Sequence, residues 1–275
     1  MSEPTPIAVA GAGGRMGRVL IALAARDPAL RVAGAFEAPG HAAIGLDAGA
    51  LAGVGEIGVP VLARAEEALS PATVLVEFTW PEPSLEHLEA AAALGSPAVL
   101  GTTGFDGVQQ ERIAALATRI PIVQASNMSV GVTALVRVVR ELAARLGERF
   151  DIEVLEMHHG RKKDAPSGTA LTLARAAAEG RGLSFEESAV FGRHGLVGER
   201  RAGELGVMAL RGGDVVGDHT VFFLGSGERI ELTHRAQSRE AFASGALRAA
   251  RWLAGRPAGR YSMEDVLFGA SQASR

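Results

Sequence analysis

The chain contains no cysteine, and this absence removes a whole class of chemistry. Without a thiol there is no disulfide and no thiolate, either as a nucleophile or as a metal ligand. The absence is compatible with a reducing compartment. We therefore look for chemistry based on imidazole, amine, carboxylate and hydroxyl groups.

Long basic runs and long apolar runs are also missing from the 275 residues. The formal net charge of −3 argues against nucleic acid or an anionic membrane as the main partner. No apolar run reaches membrane-spanning length, and the first six residues do not resemble a secretory signal. With 47% hydrophobic residues, the composition predicts one or two packed domains in the cytoplasm, with no nucleic-acid or membrane partner.

A glycine-rich turn follows a short apolar run near the amino terminus. Residues 6–10 predict a strand, residues 11–17 form the turn, and residues 18–26 predict an amphipathic helix. Glycines allow a tight turn and let backbone amides approach a pyrophosphate. The spacing departs from G-x-G-x-x-G by one residue before the last glycine, so the turn alone is a weak indication.

An acidic residue ends the next predicted strand. Residues 32–36 form that strand, and Glu37 follows where a βαβ dinucleotide-binding unit carries its ribose-binding acid. The alternative is a surface acid at a strand end. The order of strand, turn, helix, strand and acid favours a dinucleotide site.

Strands predicted at residues 74–79, 97–100 and 122–124 continue the alternation with helices. The pattern predicts a doubly wound, Rossmann-like parallel sheet, in which loops after the strands line one ligand crevice. Each of these loops is also compatible with plain turn chemistry. The predicted cofactor-binding residues are Gly11, Ala12, Gly13, Gly14, Arg15, Met16, Glu37, Gly101, Thr102, Thr103, Ala125, Ser126, Asn127 and Met128.

Beyond residue 130 the pattern changes. A helix at 132–146 precedes β-type runs at 207–210, 218–224 and 229–233, which predict a second, α+β domain on a mixed or antiparallel sheet. The last helix and the tail are expected to return to the first domain. The predicted division is therefore a dinucleotide-binding domain of residues 1–129 and 240–275, and a second domain of residues 130–239.

A polar segment at residues 156–169 contains a candidate anion receptor. Pro166 suits a helix start, and the first amides at Ser167, Gly168 and Thr169, with two hydroxyls, can hold a carboxylate or phosphate. Ser-Gly-Thr is equally compatible with a simple helix cap.

The same segment contains His158, His159 and Lys162, which would add positive charge and a proton source. We predict that they lie on a strand-to-helix loop, after a short strand ending at Leu155. A histidine pair can also be a solvated or core feature. Downstream, His194, His219 and His234 are interpreted as loop groups, sheet-face groups or subunit contacts. We assign no metal site.

The motifs at 11–17, 101–105 and 156–169, with Gly-Asp-x-x-Gly-x-His-Thr at 213–220 and His-x-Ala-x-Ser-Arg at 234–239, resemble one enzyme family. It is the dihydrodipicolinate (4-hydroxy-tetrahydrodipicolinate) reductase family of bacterial and plant lysine and diaminopimelate biosynthesis. The resemblance covers nearly the whole chain. It implies an NADH- or NADPH-dependent reductase, with residues 130–239 as the substrate and oligomerisation domain of a homotetramer.

The resemblance also implies residue roles. His158 would be the proton donor, with Lys162 as a second catalytic group. The two carboxylates of a small cyclic imino acid would be held by His159, Lys162, Ser167, Gly168 and Thr169.

Three positions depart from the family pattern: Ala38 replaces a frequent Arg, Met128 a frequent aromatic residue, and Glu77 a shorter acid. Because Glu37 repels a 2′-phosphate and Ala38 offers no cation, we predict a preference for NADH, or at least the loss of a strong NADPH preference. Arg15 on the glycine turn is the one cation considered as compensation. Two alternatives remain. One is another two-domain oxidoreductase of amino-acid metabolism, although an aspartate-semialdehyde type would need a cysteine. The other is a non-catalytic dinucleotide sensor, which would not need the His-Lys segment.

Overall fold

The computed structural model describes residues 3–269. The chain forms two compact units. One runs to Val130 and resumes at Arg239, and the other spans Gly131–Ser238. None of the described helices is both long and apolar enough to cross a membrane.

The strands and helices are numbered in chain order. The strands are β1 (Thr5–Ala10), β2 (Leu30–Phe36), β3 (Val61–Leu62), β4 (Val74–Glu77), β5 (Ala98–Leu100), β6 (Pro121–Gln124), β7 (Asp151–His158), β8 (Ala189–Val190), β9 (Leu205–Arg211), β10 (Gly217–Gly225), β11 (Glu228–Ala236) and β12 (Gly259–Tyr261). The helices are α1 (Arg15–Ala24), α2 (Ala48–Ala52), α3 (Ala65–Ala68), α4 (Pro81–Leu94), α5 (Gly107–Ala117), α6 (Val130–Leu146), α7 (Gly168–Arg181), α8 (Phe185–Ser188), α9 (Glu240–Leu253) and α10 (Met263–Phe268).

The first unit is built on a parallel sheet of seven strands in the order β12-β6-β5-β4-β1-β2-β3. Its central strands are almost wholly apolar because helices cover both faces. Ile7 and Val9 of β1 pack with α1 and α9, whereas Ala8 and Ala10 pack with α4 and α5. The predicted doubly wound Rossmann-like fold is confirmed.

The strand order places the ligand edge of this sheet. It reads 3-2-1-4-5-6 with β12 added, so β1 and β4 are neighbours at the point where the order reverses. In open parallel sheets, ligands bind at the carboxyl ends of the strands at this switch point. The glycine turn follows β1, and the Phe78–Thr79 turn follows β4.

The second unit contains a mixed sheet in the order β11-β10-β7-β9-β8. The central strand β7 is antiparallel to β10 and parallel to β9. Helices α6 and α7 cover one face, where Ile152 and Val154 lie in the core with Val221 and Phe223. Because side chains alternate along a strand, Glu156 and His158 point to the same covered face. The predicted α+β fold on a mixed sheet is confirmed.

Several predicted element limits were wrong, and three of them bear on the candidate site. Strand β7 continues to His158 rather than ending at Leu155, because Met157 pairs with β9 and β10 and His158 pairs with β9, and this pairing overrides the weak β-propensity of its last residues. Helix α7 starts at Gly168, so Pro166 precedes the cap instead of opening the helix. Helix α1 starts at Arg15, three residues earlier than expected.

Candidate active site

The glycine turn leads directly from β1 into α1. Gly11 has φ +63°, a backbone conformation that favours glycine, and its carbonyl accepts a hydrogen bond from the Gly14 amide at 3.0 Å. A Cβ on Gly17 would lie 2.2 Å from the Gly11 oxygen. Gly17 therefore permits the close helix-to-turn packing that the last glycine of the motif provides. The extra residue in the spacing is accommodated because α1 has already begun at Arg15.

The Glu37 carboxylate lies against this turn. Its Oε1 accepts the Gly13 amide at 2.9 Å, and its Oε2 accepts the Ala38 amide at 3.2 Å. A Cβ on Gly13 would lie 2.8 Å from His41 Cε1. The imidazole of His41 accepts the Ala43 amide at Nδ1, so its proton is on Nε2 in this arrangement. The Glu37 carboxylate thus lies beside the glycine turn, at the position predicted for the ribose-binding acid.

A guanidinium also lies beside the turn. Arg18 donates from Nε to the Gly13 carbonyl at 2.9 Å, although sequence reasoning had considered only Arg15 as a compensating cation. Arg18 is the fourth residue of α1, and the earlier helix start brings it next to Gly13.

A chain of hydroxyls connects the loops after β4 and β5. The Ser84 hydroxyl donates to Thr102 Oγ1 at 2.8 Å and lies 3.3 Å from Thr79 Oγ1. A Cβ on Gly101 would lie 2.2 Å from the Phe78 ring, so this glycine lets the aromatic ring cover the turn. The two loops form one hydrogen-bonded edge rather than independent turns.

Glu77, at the end of β4, is fully buried and holds the same edge. Its Oε1 accepts the Thr79 amide at 2.6 Å, and its Oε2 lies 2.6 Å from His87 Nδ1. Glu77, which stands where the family often has a shorter acid, therefore fixes the loop after β4 and connects it to α4.

The loop after β6 is anchored to its neighbour by the Ala125 amide, which donates to the Leu100 carbonyl at 3.2 Å. The Asn127 side chain accepts the Ser129 amide at 2.8 Å. Met128 is 1% exposed and belongs to the hydrophobic core. Any contact of Met128 with a cofactor would have to come from its backbone.

In the second unit, Glu156 organises the polar cluster. Although fully buried in β7, it is bonded by both guanidinium nitrogens of Arg211, at 2.7 Å each, and lies 2.6 Å from His158 Nδ1. The Ser167 amide donates to its Oε1 at 2.9 Å. Burial alone would raise the Glu156 pKa, but the hydrogen bonds from Arg211, His158 and Ser167 outweigh it and hold the pKa below its usual value.

His219 is part of the same cluster. It is 3% exposed, its Nε2 lies 2.9 Å from the Ser167 hydroxyl, and its ring meets the His158 ring edge-on at 5.1 Å. Burial, followed by the neighbouring His158, lowers the pKa of His219 to about 4. The prediction of a sheet-face group is confirmed, because His219 lies on β10. Its face is the buried one, where it contacts Ser167 and His158 as a neutral member of the candidate site.

The start of α7 differs in detail from the predicted anion receptor. The Ser167 hydroxyl caps the helix by accepting the Ala170 amide at 3.2 Å. Because its own amide donates to Glu156, the expectation that the Ser167 amide is free was wrong. The first helical amide is that of Gly168, which has no partner within the helix.

Lys162 and His159 lie on the loop between β7 and α7. The Lys162 ammonium is 2.9 Å from Asp164 Oδ1. His159 donates its amide to the Val215 carbonyl at 2.8 Å, and its ring Nδ1 is buried without a hydrogen-bond partner. An anion that reaches this loop would meet an ammonium already paired with Asp164.

The structure therefore adds residues that sequence reasoning left without a role. Glu156 could have been found from its two-residue spacing to His158, which puts both on one strand face. Arg211 and His219 are 53 and 61 positions from His158, and the pairing of β9 and β10 with β7 brings them together. Arg193, on the loop after β8, pairs with Glu153 and Glu204. Within residues 3–269, no group of three or more histidines and carboxylates is arranged to hold a metal ion.

Comparison with known proteins identifies the same family along nearly the whole chain. Residues 5–128 match the sequence model of the dihydrodipicolinate reductase N-terminus, and residues 131–267 match that of the C-terminus. The chain is 51% identical to the 4-hydroxy-tetrahydrodipicolinate reductase of Anaeromyxobacter sp. (strain Fw109-5), over 95% of this chain and 97% of that protein. Identity to the reductase of the same name from Thiobacillus denitrificans (strain ATCC 25259 / T1) is also 51%, with the same coverage.

A solved structure gives the same fold. The dipicolinate-bound dihydrodipicolinate reductase from Paenisporosarcina sp. TG-14 matches with a TM-score of 0.75 at 22% identity, covering 96% of this chain and 100% of that one. The resemblance drawn from the motifs is thus confirmed: this chain belongs to the dihydrodipicolinate reductase family, and it is an oxidoreductase that uses a nicotinamide dinucleotide.

Proposed function

We propose that the two units divide the reduction of 4-hydroxy-tetrahydrodipicolinate between them. The first unit binds NAD(P)H, and the second binds the cyclic dicarboxylate and protonates it. The observation that carries the proposal is the arrangement in the second unit: an imidazole oriented by a buried carboxylate, on the strand that leads to the start of α7 and to Lys162. A non-catalytic dinucleotide sensor would not need that arrangement.

His158 is the proposed proton donor. Loss of water from the ring first gives a conjugated imine, and the reduced nicotinamide, when bound, would supply a hydride to the carbon that bore the hydroxyl. Negative charge then develops toward the ring nitrogen and requires a nearby acid. Because Nδ1 faces the Glu156 carboxylate, Nε2 is the nitrogen that can deliver the proton. Gly217 leaves room on that side, since a Cβ there would lie 2.9 Å from Nε2.

The two substrate carboxylates are assigned to the loop and helix start. Lys162 contributes the charge, and the Gly168 amide contributes a donor at the positive end of α7. His159, Ser167 and Thr169 complete the proposed set. Ser167 acts mainly through the cap, because its amide and hydroxyl are both engaged. The Paenisporosarcina reductase was solved with bound dipicolinate, a planar dicarboxylate, which supports this assignment.

The proposed cofactor contacts are the predicted residues of the first unit. The fit rests on the close packing at Gly17, on the carboxylate of Glu37 beside Gly13, and on the hydrogen-bonded loops after β4 and β5. Glu37 can accept hydrogen bonds from ribose hydroxyls but repels a 2′-phosphate. We therefore propose a preference for NADH. Arg18, which lies beside the turn, is the cation most able to weaken this preference.

The quaternary assignment is a homotetramer formed through the second unit. The face of its sheet opposite α6 and α7 carries six apolar side chains that are partly or largely exposed to solvent, next to charged residues such as Glu153 and Asp218. A group of exposed apolar side chains on a sheet is suited to contact with another copy. The side chains are Leu155, Met157, Met208, Leu210, Phe222 and Leu224. Light scattering on the purified protein would measure the assembly.

The test of the whole proposal is oxidation of NADH by the purified protein, supplied with freshly made condensation product of pyruvate and aspartate semialdehyde. We expect turnover with this substrate, and His158→Gln should lower it by about 10²–10⁴-fold without loss of NADH binding. His194→Gln is the matched control, because His194 is exposed on a loop. Binding of NADH without any turnover would favour the sensor. Near-normal turnover by His158→Gln would remove His158 from the mechanism.

A further inference from the structure

The Glu156 carboxylate takes part in four hydrogen bonds with three residues. Arg211 takes one position on each oxygen, the Ser167 amide takes a second position on Oε1, and His158 Nδ1 takes a second position on Oε2. An ionised carboxylate can only accept hydrogen bonds. His158 Nδ1 must therefore carry a proton whether the ring is neutral or cationic, and only Nε2 can gain or lose one.

Arg211 controls where that proton remains. A buried carboxylate alone would compete with the imidazole for the proton, because burial disfavours the charged form. The bidentate guanidinium keeps the carboxylate ionised and is itself held by the Asp164 carbonyl at 2.7 Å. Two opposite charges thus act on one imidazole, with Glu156 favouring the protonated ring and Arg211 opposing it.

We propose that Glu156 and Arg211 are positioning residues for the reduction: Glu156 fixes Nε2 of His158 as the donor nitrogen, and Arg211 keeps the proton from passing to Glu156. The inference rests on the proposed role of His158. It also joins that role to substrate binding, because the same carboxylate holds the amide of Ser167, the cap of the helix that receives a substrate carboxylate.

Several charged or titratable groups surround His158. Glu156 lies beside it on β7, Arg211 is its register partner on β9, and His219 packs against it from β10. The Lys162–Asp164 pair lies on the loop that follows β7. His219 is neutral above about pH 4, and the Lys162–Asp164 pair carries no net charge. Glu156 is in direct contact with the ring and Arg211 is bonded to both of its carboxylate oxygens, so removing either charge should affect the ring most.

The test is the pH profile of kcat/KM, whose alkaline limb reports loss of the protonated donor. Glu156→Gln removes the negative charge, so the alkaline limb should move to lower pH by about one unit, with turnover at the optimum reduced about 10-fold or more. Arg211→Gln removes the positive charge, so the limb should move to higher pH. Opposite shifts from two neighbouring variants are not expected of a merely structural defect.

Two further variants control for folding. The double variant Glu156→Gln/Arg211→Gln removes both charges and leaves no unpaired guanidinium, so it should fold even if Glu156→Gln alone does not. Its alkaline limb should lie between those of the two single variants. Glu186→Gln removes an exposed Glu–Arg ion pair of the same unit, the Arg175–Glu186 contact of 2.6 Å. This control should leave the alkaline limb of the profile in place.

Imidazole nitrogen NMR gives a readout independent of activity. In the parent, His158, identified by comparison with His158→Gln, should show a proton retained on Nδ1 across its titration, whereas Glu156→Gln should shift the neutral ring toward the Nε2–H form. If His158→Gln is inactive but Glu156→Gln and Arg211→Gln keep the parent pH profile and tautomer, the positioning roles are refuted and the proposed function stands. If His158→Gln is active, the proposed function itself fails.

Discussion

His219 gives the protein a specific sensitivity to acid. The imidazole is 3% exposed, and burial lowers its pKa from an ordinary 6.5 to about 4. The unfolded chain therefore binds a proton between these two pH values while the folded chain does not. Linkage then requires stability to be complete above pH 6.5 and to be lost as the pH falls toward 4.

The size of this loss follows from the two pKa values. At pH 5, a group that titrates at 6.5 is almost fully protonated in the unfolded chain, whereas about nine-tenths of the folded molecules keep His219 neutral. At about 1.4 kcal/mol per unit, the free energy of unfolding should fall by about 2 kcal/mol between pH 7 and pH 5, and by about 3 kcal/mol once the pH reaches 4. Other groups titrate in this range too, so the informative quantity is the difference between parent and variant.

Urea unfolding of the parent and of His219→Gln at pH 7, 6 and 5 measures this difference. The variant loses the Ser167 hydrogen bond geometry and some packing against His158, so it should be less stable at pH 7, but its stability should fall less steeply with acid. His194→Gln, a change at an exposed histidine, should follow the parent. Parallel pH dependences for the parent and His219→Gln would refute the assignment of a buried neutral ring.

Three further predictions concern binding and packing. Lys162→Ala should weaken binding of dipicolinate by about 10-fold or more but not that of NADH, because it removes the ammonium proposed for a substrate carboxylate; equal dipicolinate affinities in calorimetry would exclude that role. In side-by-side kinetics with both cofactors, Ala38→Arg should lower the KM for NADPH more than the KM for NADH. A parent protein that favours NADPH tenfold, about 1.4 kcal/mol of discrimination, would contradict the NADH assignment. Gly17→Ala places a Cβ 2.2 Å from the Gly11 carbonyl oxygen, so it should cost about 1–3 kcal/mol of stability and weaken NADH binding. Gly107→Ala is the control, because a Cβ there meets no atom within 4 Å and should change neither quantity. A Gly17→Ala variant with the parent's Tm and NADH affinity would show that the turn can adjust.

Much of the fold could be predicted because its evidence is local. The strand, glycine turn and helix at the amino terminus need only hydrophobic period and backbone freedom, so the Rossmann-like unit was correctly predicted. Errors occurred where tertiary pairing overrides local preference. The end of β7 is the clearest example, since Met157 is held in the strand by β9 and β10, and His158 by β9, rather than by their own propensity.

The sequence by itself determined the chemistry available: no thiol, a His-His-Lys segment, a glycine turn followed by an acid, and a set of motifs typical of one reductase family. Only the tertiary structure decided how those groups act. Strand register placed Arg211 and His219 beside Glu156 and His158 from distant parts of the chain. The ionisation of a carboxylate and the tautomer of an imidazole depend on which partners surround them in a buried site. That information resides in the packing of β7, β9 and β10, which no local pattern in the chain encodes.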